Sequence, residues 1–228
     1  MITVVANLKG GCGKSTVTFN LAVWLSMTGQ SVISFDLDPQ ATLSEVVDVR
    51  REMGVEPALT VYRPDVDPEP LIKQKDGGMV LMDISATNRW TMRYAIRNAA
   101  RIIVPVPPSQ ADVWSTQRFL DIVAETLAGK KQPEIYMFIN RADTHPGLKE
   151  SDETQEALES LYGVTVLKER LGQRTAFRRS FSEGRAVFEL SRRSKAAEEF
   201  LQLTDRLFPE LSKSFAIPSA KKIGKADQ

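Results

Sequence analysis

Ten residues near the amino terminus, Asn7-Leu8-Lys9-Gly10-Gly11-Cys12-Gly13-Lys14-Ser15-Thr16, restrict what this chain can fold into more than any other stretch. They follow an apolar run, Ile2-Thr3-Val4-Val5-Ala6, and lead into a helical pattern that begins near Ser15. Strand, glycine-rich turn and helix, in that order, make the setting of a phosphate-binding loop. Gly10, Gly11 and Gly13 let backbone N–H groups converge on an anion without Cβ obstruction. The helix amino terminus adds partial positive charge, and Lys14 has the reach for outer phosphates. Ser15 supplies the hydroxyl that such loops place on Mg2+.

The rest of the chain alternates two periodicities. Residues 15–28 carry Val17, Leu21, Val23, Trp24 and Leu25 at helical spacing, and Gly29 closes the run. Ser31 to Phe35 reads as a buried strand ending in Asp36-Leu37-Asp38-Pro39-Gln40. Acids at the carboxyl end of a parallel strand lie where such sheets bind ligands, and capping of the following helix is their other use. Met79 to Asp83 is a second buried strand closed by an acid; residues 101–106, 135–139 and 164–167 read as further strands. Helices are expected at 41–47, 94–100, 112–127 and 150–162. This alternation predicts a single α/β domain over residues 1–210, with a mostly parallel twisted sheet and helices on both faces. Residues 50–76, with Pro57, Pro64, Pro68 and Pro70, read as a surface excursion around short elements. Residues 211–228 read as a disordered basic tail.

Composition sets limits on the chemistry. One cysteine, Cys12, and one histidine, His145, exclude an internal disulfide and argue against a cysteine- or histidine-rich metal site. A basic leader with a long apolar core is missing, and no apolar run approaches the ~18 residues of a spanning helix, so a cytoplasmic protein is expected. The global charge is balanced, with 30 basic and 29 acidic residues, but the distribution is not. Between Lys168 and Lys195 stand nine basic and three acidic residues, a local excess of +6. Arg174, Arg178, Arg179, Arg192, Arg193 and Lys195 are the candidates there for contact with duplex phosphates, a solvated helix face being the alternative.

Several motifs together carry a family resemblance. Leu8 stands where the usual phosphate loop has its first glycine, and Lys9 adds a second lysine, giving Lys-Gly-Gly-Cys-Gly-Lys-Ser. That resembles the deviant Walker A box of the ParA/MinD family of P-loop ATPases. Asp36-Leu37-Asp38-Pro39-Gln40 is similar to the family's second signature, and Met79 to Asp83 to its Walker B strand. Asn140-Arg141 resembles the family's base-contacting position, although Asn140 is also an ordinary turn residue. Leu171 to Ser180 and the Gly184-x-x-Val187-x-Glu189 element resemble the end of short ParA proteins, so the similarity runs from Met1 to about Leu207.

The resemblance implies a P-loop NTPase domain that uses ATP and Mg2+. Residues Lys9, Gly10, Gly11, Cys12, Gly13, Lys14, Ser15 and Thr16, with Asn140, would hold the nucleotide. Ser15, Asp36 and Asp83 would serve the metal, and Lys9, Lys14 and Asp38 the hydrolysis. It further implies an ATP-dependent homodimer in which Lys9 crosses to its partner's phosphates. Non-specific duplex DNA would be its track, and a ParB-like centromere-binding protein or a cargo adaptor its stimulator, in a nucleoid-associated partition system. Ile84-Ser85-Ala86-Thr87-Asn88 departs from the small Gly- or Pro-containing switch usual after the Walker B acid. No segment is present for the helix-turn-helix of longer ParA proteins, and the tail has too little apolar face for membrane binding. Two alternatives stand beside DNA partition: a relative that positions a protein cargo such as carboxysomes or chemoreceptor clusters, and an ATP-dependent metabolic enzyme like dethiobiotin synthetase.

Overall fold

The apolar runs form the middle of one parallel sheet. The computed structural model describes residues 1–74, 77–145 and 147–215. Strands β1 (Ile2–Val5), β2 (Val32–Leu37), β3 (Thr60–Tyr62), β4 (Met79–Ile84), β5 (Arg101–Val106), β6 (Glu134–Ala142) and β7 (Thr165–Val166) pair in the order β3-β2-β4-β1-β5-β6-β7; β8 (Leu171–Gly172) pairs with β6 off this path. All the pairings are parallel. β4 and β5, which flank β1, are buried at every position. Strands without polar alternation must be covered on both faces, and they are.

Successive side chains feed opposite cores. Val5, Leu81 and Ile103 point to a face covered by α1 (Lys14–Met27), α2 (Thr42–Glu52), α7 (Thr175–Glu183), α8 (Val187–Leu190) and α9 (Lys195–Leu207). Its largest buried members include Phe19, Trp24, Phe188, Phe200 and Phe208. Val4, Met82 and Val104 point to the other face, under α4 (Arg89–Asn98), α5 (Gln110–Thr126) and α6 (Glu150–Glu159). The expected α/β architecture is therefore the observed one.

The surface excursion has the short elements expected of it, while two helices and the tail differ from expectation. The proline-rich excursion contains β3, a three-residue edge strand in register with Ile33 to Phe35 of β2, and a short helix, α3 (Pro68–Gln74). None of the three β3 residues is fully buried, so they left no apolar signal. α2 continues to Glu52 rather than stopping at Val47, and α4 starts at Arg89, capped by the Asn88 side chain on the Thr91 N–H at 3.1 Å. Of the basic tail expected from Leu211, Leu211 and Phe215 pack on the core: the Phe215 ring lies 5.8 Å from the Trp24 ring and 5.5 Å from that of Phe188. Residues 216–228 lie outside the described residues.

Candidate nucleotide site

Parallel strands present their carboxyl ends at one edge, and the loop, the acids and Asn140 all gather there. Gly13 forms the amino-terminal cap of α1 with φ 93°, and Gly11 has φ 73°. Both values lie in the left-handed region that only glycine occupies without strain. The loop is tied across the sheet: Asn140 Nδ2 donates to the Cys12 carbonyl at 2.6 Å, and a Cβ on Gly13 would stand 2.2 Å from that same nitrogen. Gly13→Ala should therefore strain the backbone by about 1–2 kcal/mol and push Asn140 off Cys12. A fluorescent-nucleotide titration should show binding at least ~10-fold weaker.

Lys14 is buried at the start of α1 and its Nζ donates to the Lys9 carbonyl at 3.2 Å. Lys9 is turned the other way, its Nζ 2.8 Å from Asp112 Oδ2 in the first turn of α5. Cys12 is buried beneath the loop, and burial pushes its thiol up, with Lys14 opposing.

Three carboxylates behave differently. Asp36 Oδ2 accepts from the Ser44 N–H at 2.8 Å and the Ser44 hydroxyl at 2.9 Å, while Oδ1 accepts from the Asp38 N–H at 3.3 Å. This carboxylate anchors the first turn of α2, so the capping use weighed for the motif falls to Asp36. Burial pushes Asp36 upward, and its bonds to Ser44 offset part of that. Asp38 is half-buried, with Oδ1 accepting from the Gln40 N–H at 3.0 Å, and it faces the cleft. Asp83 is 1% exposed and neither of its oxygens has a hydrogen-bond partner. Burial pushes it up to about 7; the Ser15 hydroxyl opposes, the Asp36 charge adds, and Lys14 opposes.

The cleft has two lobes. One, of about 560 Å3, is lined by the glycine loop with Lys14 and Ser15, and by Asp38, Gln40, Ser85, Thr87 and Arg141. The other, of about 470 Å3, is lined by Thr16, Asn140, Arg174, Phe177, Arg178 and Phe181 among others. Gly13, Thr16 and Arg141 line both. The glycine loop with Lys14 and Ser15 borders the first lobe, and Asn140, with Phe177 and Phe181, the second.

Arg141 borders both lobes from a backbone with φ 58°, which a motif does not announce. Ser85 and Thr87, whose hydroxyls lie 3.0 Å apart, place polar groups where a glycine switch was expected. Asp112 had a readable signal, since Ser109 and Asp112 have capping-box spacing and Ser109 does cap α5.

The candidate DNA contacts differ in their surroundings. Arg174 and Arg178 border the second lobe, and Arg174 is paired with Glu199. Arg179 pairs with Glu183 and Lys195 with Glu198, while Arg192 and Arg193 are exposed between α8 and α9.

A glycine cradle on a strand–helix turn, with strand-end acids around it, is the geometry that sequence comparison also finds. The family model for the CobQ/CobB/MinD/ParA nucleotide binding domain matches residues 3–187. The chain belongs to this family. Among its relatives, the maintenance of carboxysome distribution protein A of Halothiobacillus neapolitanus is 29% identical over 209 residues, 90% of this chain and 95% of that protein. Protein ParA of Rhizobium radiobacter is 26% identical over 195 residues, 80% of this chain and 83% of its own. The fold recurs in apo McdA of Cyanothece, with TM-score 0.72 at 18% identity over 90% of this chain and 98% of that one. It recurs also in Pyrococcus horikoshii MinD with Mg-ADP, with TM-score 0.71 at 21% identity over 95% and 99%. The ParA/MinD placement read from Lys9 and the strand-end acids is thus correct, and the chain is of the partition or positioning ATPase type. Among the described residues no helix is long and apolar enough to cross a membrane.

Proposed function

We propose that this chain is an ATP-driven switch that dimerises on ATP, holds duplex DNA without sequence preference, and is reset by partner-stimulated hydrolysis to segregate a plasmid or chromosome. The observation that carries this reading is the division of labour between two lysines of one loop. Lys14 is buried in the cradle, whereas the Lys9 side chain is 42% exposed on its rim, directed away from the chain's own phosphate site. A lysine in that place suits a neighbouring subunit's phosphates.

The residues fit Mg2+. Asp83 is a buried carboxylate without a hydrogen-bond partner, and its favourable neighbour, the Ser15 hydroxyl, belongs to a residue that lines the first lobe. When bound, Mg2+ supplies charge neutralisation for the terminal phosphates. Lys14 and the loop N–H groups hold those phosphates, and Asp38, freely facing the cleft, orients the attacking water. Asn140 retains its Oδ1 for an adenine amino group while its Nδ2 braces Cys12. A solved structure of an Asp-to-Ala variant of Cyanothece McdA in complex with ATP is among the chain's structural neighbours.

Arg178, Arg179 and Arg193 are all exposed, and charge reversal tests the DNA track best at Arg179 and Arg193, because Arg178 also lines the cleft. Wild type and Arg179→Glu/Arg193→Glu would be compared by sedimentation and duplex binding, with ATP, ADP and no nucleotide, over a salt series. Wild type should bind any duplex only with ATP, with affinity falling steeply in salt; the variant should dimerise but bind about tenfold more weakly. If ATP alters neither assembly nor DNA affinity, the switch is wrong and a metabolic ATP-dependent enzyme becomes the better reading.

One observation favours a second reading. The likeness to the carboxysome distribution protein spans nearly the whole of both chains, and a likeness to the Myxococcus xanthus cell division protein PomZ covers 94% of this one. A protein cargo moved over DNA by the same switch is compatible with every residue described. Pull-down of the ATP-locked dimer separates the two readings by whether a DNA-binding adaptor or a cargo protein is retained.

A further inference from the structure

α4 carries Arg89, Arg93 and Arg97 and no acid. Trp90 is 68% exposed on it, and its ring stacks on that of Tyr94, with centroids 5.8 Å and planes 15° apart. Arg89 and Arg97 are exposed, and their side chains have neither a hydrogen bond nor an ion pair among the described residues. Arg93 is turned aside to α5, its Nη2 2.7 Å from Glu125 Oε2 and its Nη1 3.3 Å from Thr126 Oγ1. On the flank towards α3, burial pushes the Tyr94 hydroxyl up, and Glu69 and Asp67 add to it. Glu69 is itself held by Lys73 at 2.6 Å. A ring pair set between two free guanidinium groups has the composition in which interface energy concentrates.

We propose that this face of α4 is a docking surface for an acidic segment of a partner protein, with apolar side chains on the Trp90–Tyr94 pair and carboxylates on Arg89 and Arg97. The two arginines stand about 12 Å apart along the helix, so acids two helical turns apart with apolar residues between them match the face. A second copy laying its own α4 on this one would set arginines against arginines. A polynucleotide brings a phosphate with every base and would set some of them beside Asp67 and Glu69. A polypeptide places its acids and its apolar groups separately. Trp90 follows Thr87 by three residues, and Thr87 lines the first lobe, so an occupant of this face sits beside the cleft. The contact itself needs no nucleotide and stands or falls apart from the switch.

The probe is a displayed library of random peptides of about 16 residues, long enough for four helical turns. It is selected on the nucleotide-free protein and counter-selected on Trp90→Ala, so that survivors need this face. Survivors should carry a net negative charge together with apolar residues, and their binding in fluorescence titrations should weaken with salt. Arg89→Glu/Arg97→Glu should weaken it at least about tenfold, while Arg89→Lys/Arg97→Lys, which keeps the charge, should retain most of it. Melting temperatures should not move, because the substituted side chains lie on the surface. A selection without survivors, survivors without an acidic excess, or binding indifferent to the arginine reversal overturns the proposal. Two further outcomes overturn it by naming another occupant. An oligo-dT strand that binds wild type and is lost with Trp90→Ala would make the face a nucleic-acid contact. An AMPPNP dimer that Trp90→Ala weakens about tenfold in sedimentation would make it a contact between copies. If Trp90→Ala does not fold, Trp90→Gln takes its place in every comparison.

Discussion

Asp83→Asn should abolish Mg2+-dependent nucleotide turnover and yet make the nucleotide-free protein more stable above pH 7. The carboxylate lies one residue from the end of β4, in register with Val5 and Asp36, buried and without a hydrogen-bond partner. Burial raises it to about 7 from an ordinary value near 3.8. Below pH 4 it is neutral in the folded and the unfolded chain and contributes no pH dependence. Between about 4 and 7 the unfolded chain has lost a proton that the native chain retains, so stability falls as pH rises through that window. The penalty is complete above 7, with an upper bound of about 4 kcal/mol. Asparagine removes the titration. Melting temperatures of the nucleotide-free proteins should therefore diverge from pH 4 to 8, with the variant higher by several degrees at pH 8 and the two converging near pH 4. Asp36, also raised, leaves both proteins a shared residual slope. Phosphate release should meanwhile drop roughly 100-fold or more, because Ser15 alone makes a poor cation site. Parallel melting curves would mean that Asp83 is ionised in the native state. A stabilising substitution that destroys activity is what a carboxylate kept for a cation predicts.

What was legible in the sequence is what is contiguous along it. β1, β2, β4, β5 and β6 are doubly buried runs, so hydropathy marked them within a residue or two at most ends. The glycine loop and the acids were legible because each sits on one strand end. β3 and β8 were not, being three and two residues long, with pairing rather than composition defining them. Contacts over long separations also left no trace: Lys9 with Asp112 spans 103 positions and Asn140 with Cys12 spans 128. The partners of the basic segment were equally out of sight. A count along the chain cannot register that Glu199 and Glu198 of α9 neutralise Arg174 and Lys195, or that Asp152 of α6 pairs with Arg170. Nor did it show that Arg178 turns to the cleft.

Glu189→Ala should be among the most destabilising substitutions outside the nucleotide loop, by about 3–5 kcal/mol, because it strands a buried guanidinium. Arg50 of α2 is 1% exposed. Its Nη1 and Nη2 donate to Glu189 Oε2 and Oε1 at 2.7 and 3.0 Å, Nη1 also reaches the Gly184 carbonyl at 2.9 Å, and Nε the Pro57 carbonyl at 2.9 Å. Glu189 in turn accepts from the Ala186 N–H at 2.7 Å. A Cβ on Gly184 would stand 2.5 Å from the Arg50 backbone, and its φ is 58°, so glycine is required there twice over. The Gly184-x-x-Val187-x-Glu189 element is therefore the socket for one arginine. That arginine holds the carboxyl half of α2, while Asp36 holds its amino end through Ser44. Asp38 lies on the short turn between Asp36 and that helix, so loosening α2 displaces the group proposed to orient the attacking water. Urea denaturation of Glu189→Ala should show the stability loss, and at temperatures where it stays folded ATP turnover should fall more than nucleotide affinity. Arg50→Met/Glu189→Leu should recover most of the stability, since an apolar pair leaves no buried charge, but not the turnover if its hold on α2 is imprecise. Equal losses in the single and double variants would show that α2 is held by packing, with the ion pair incidental to it.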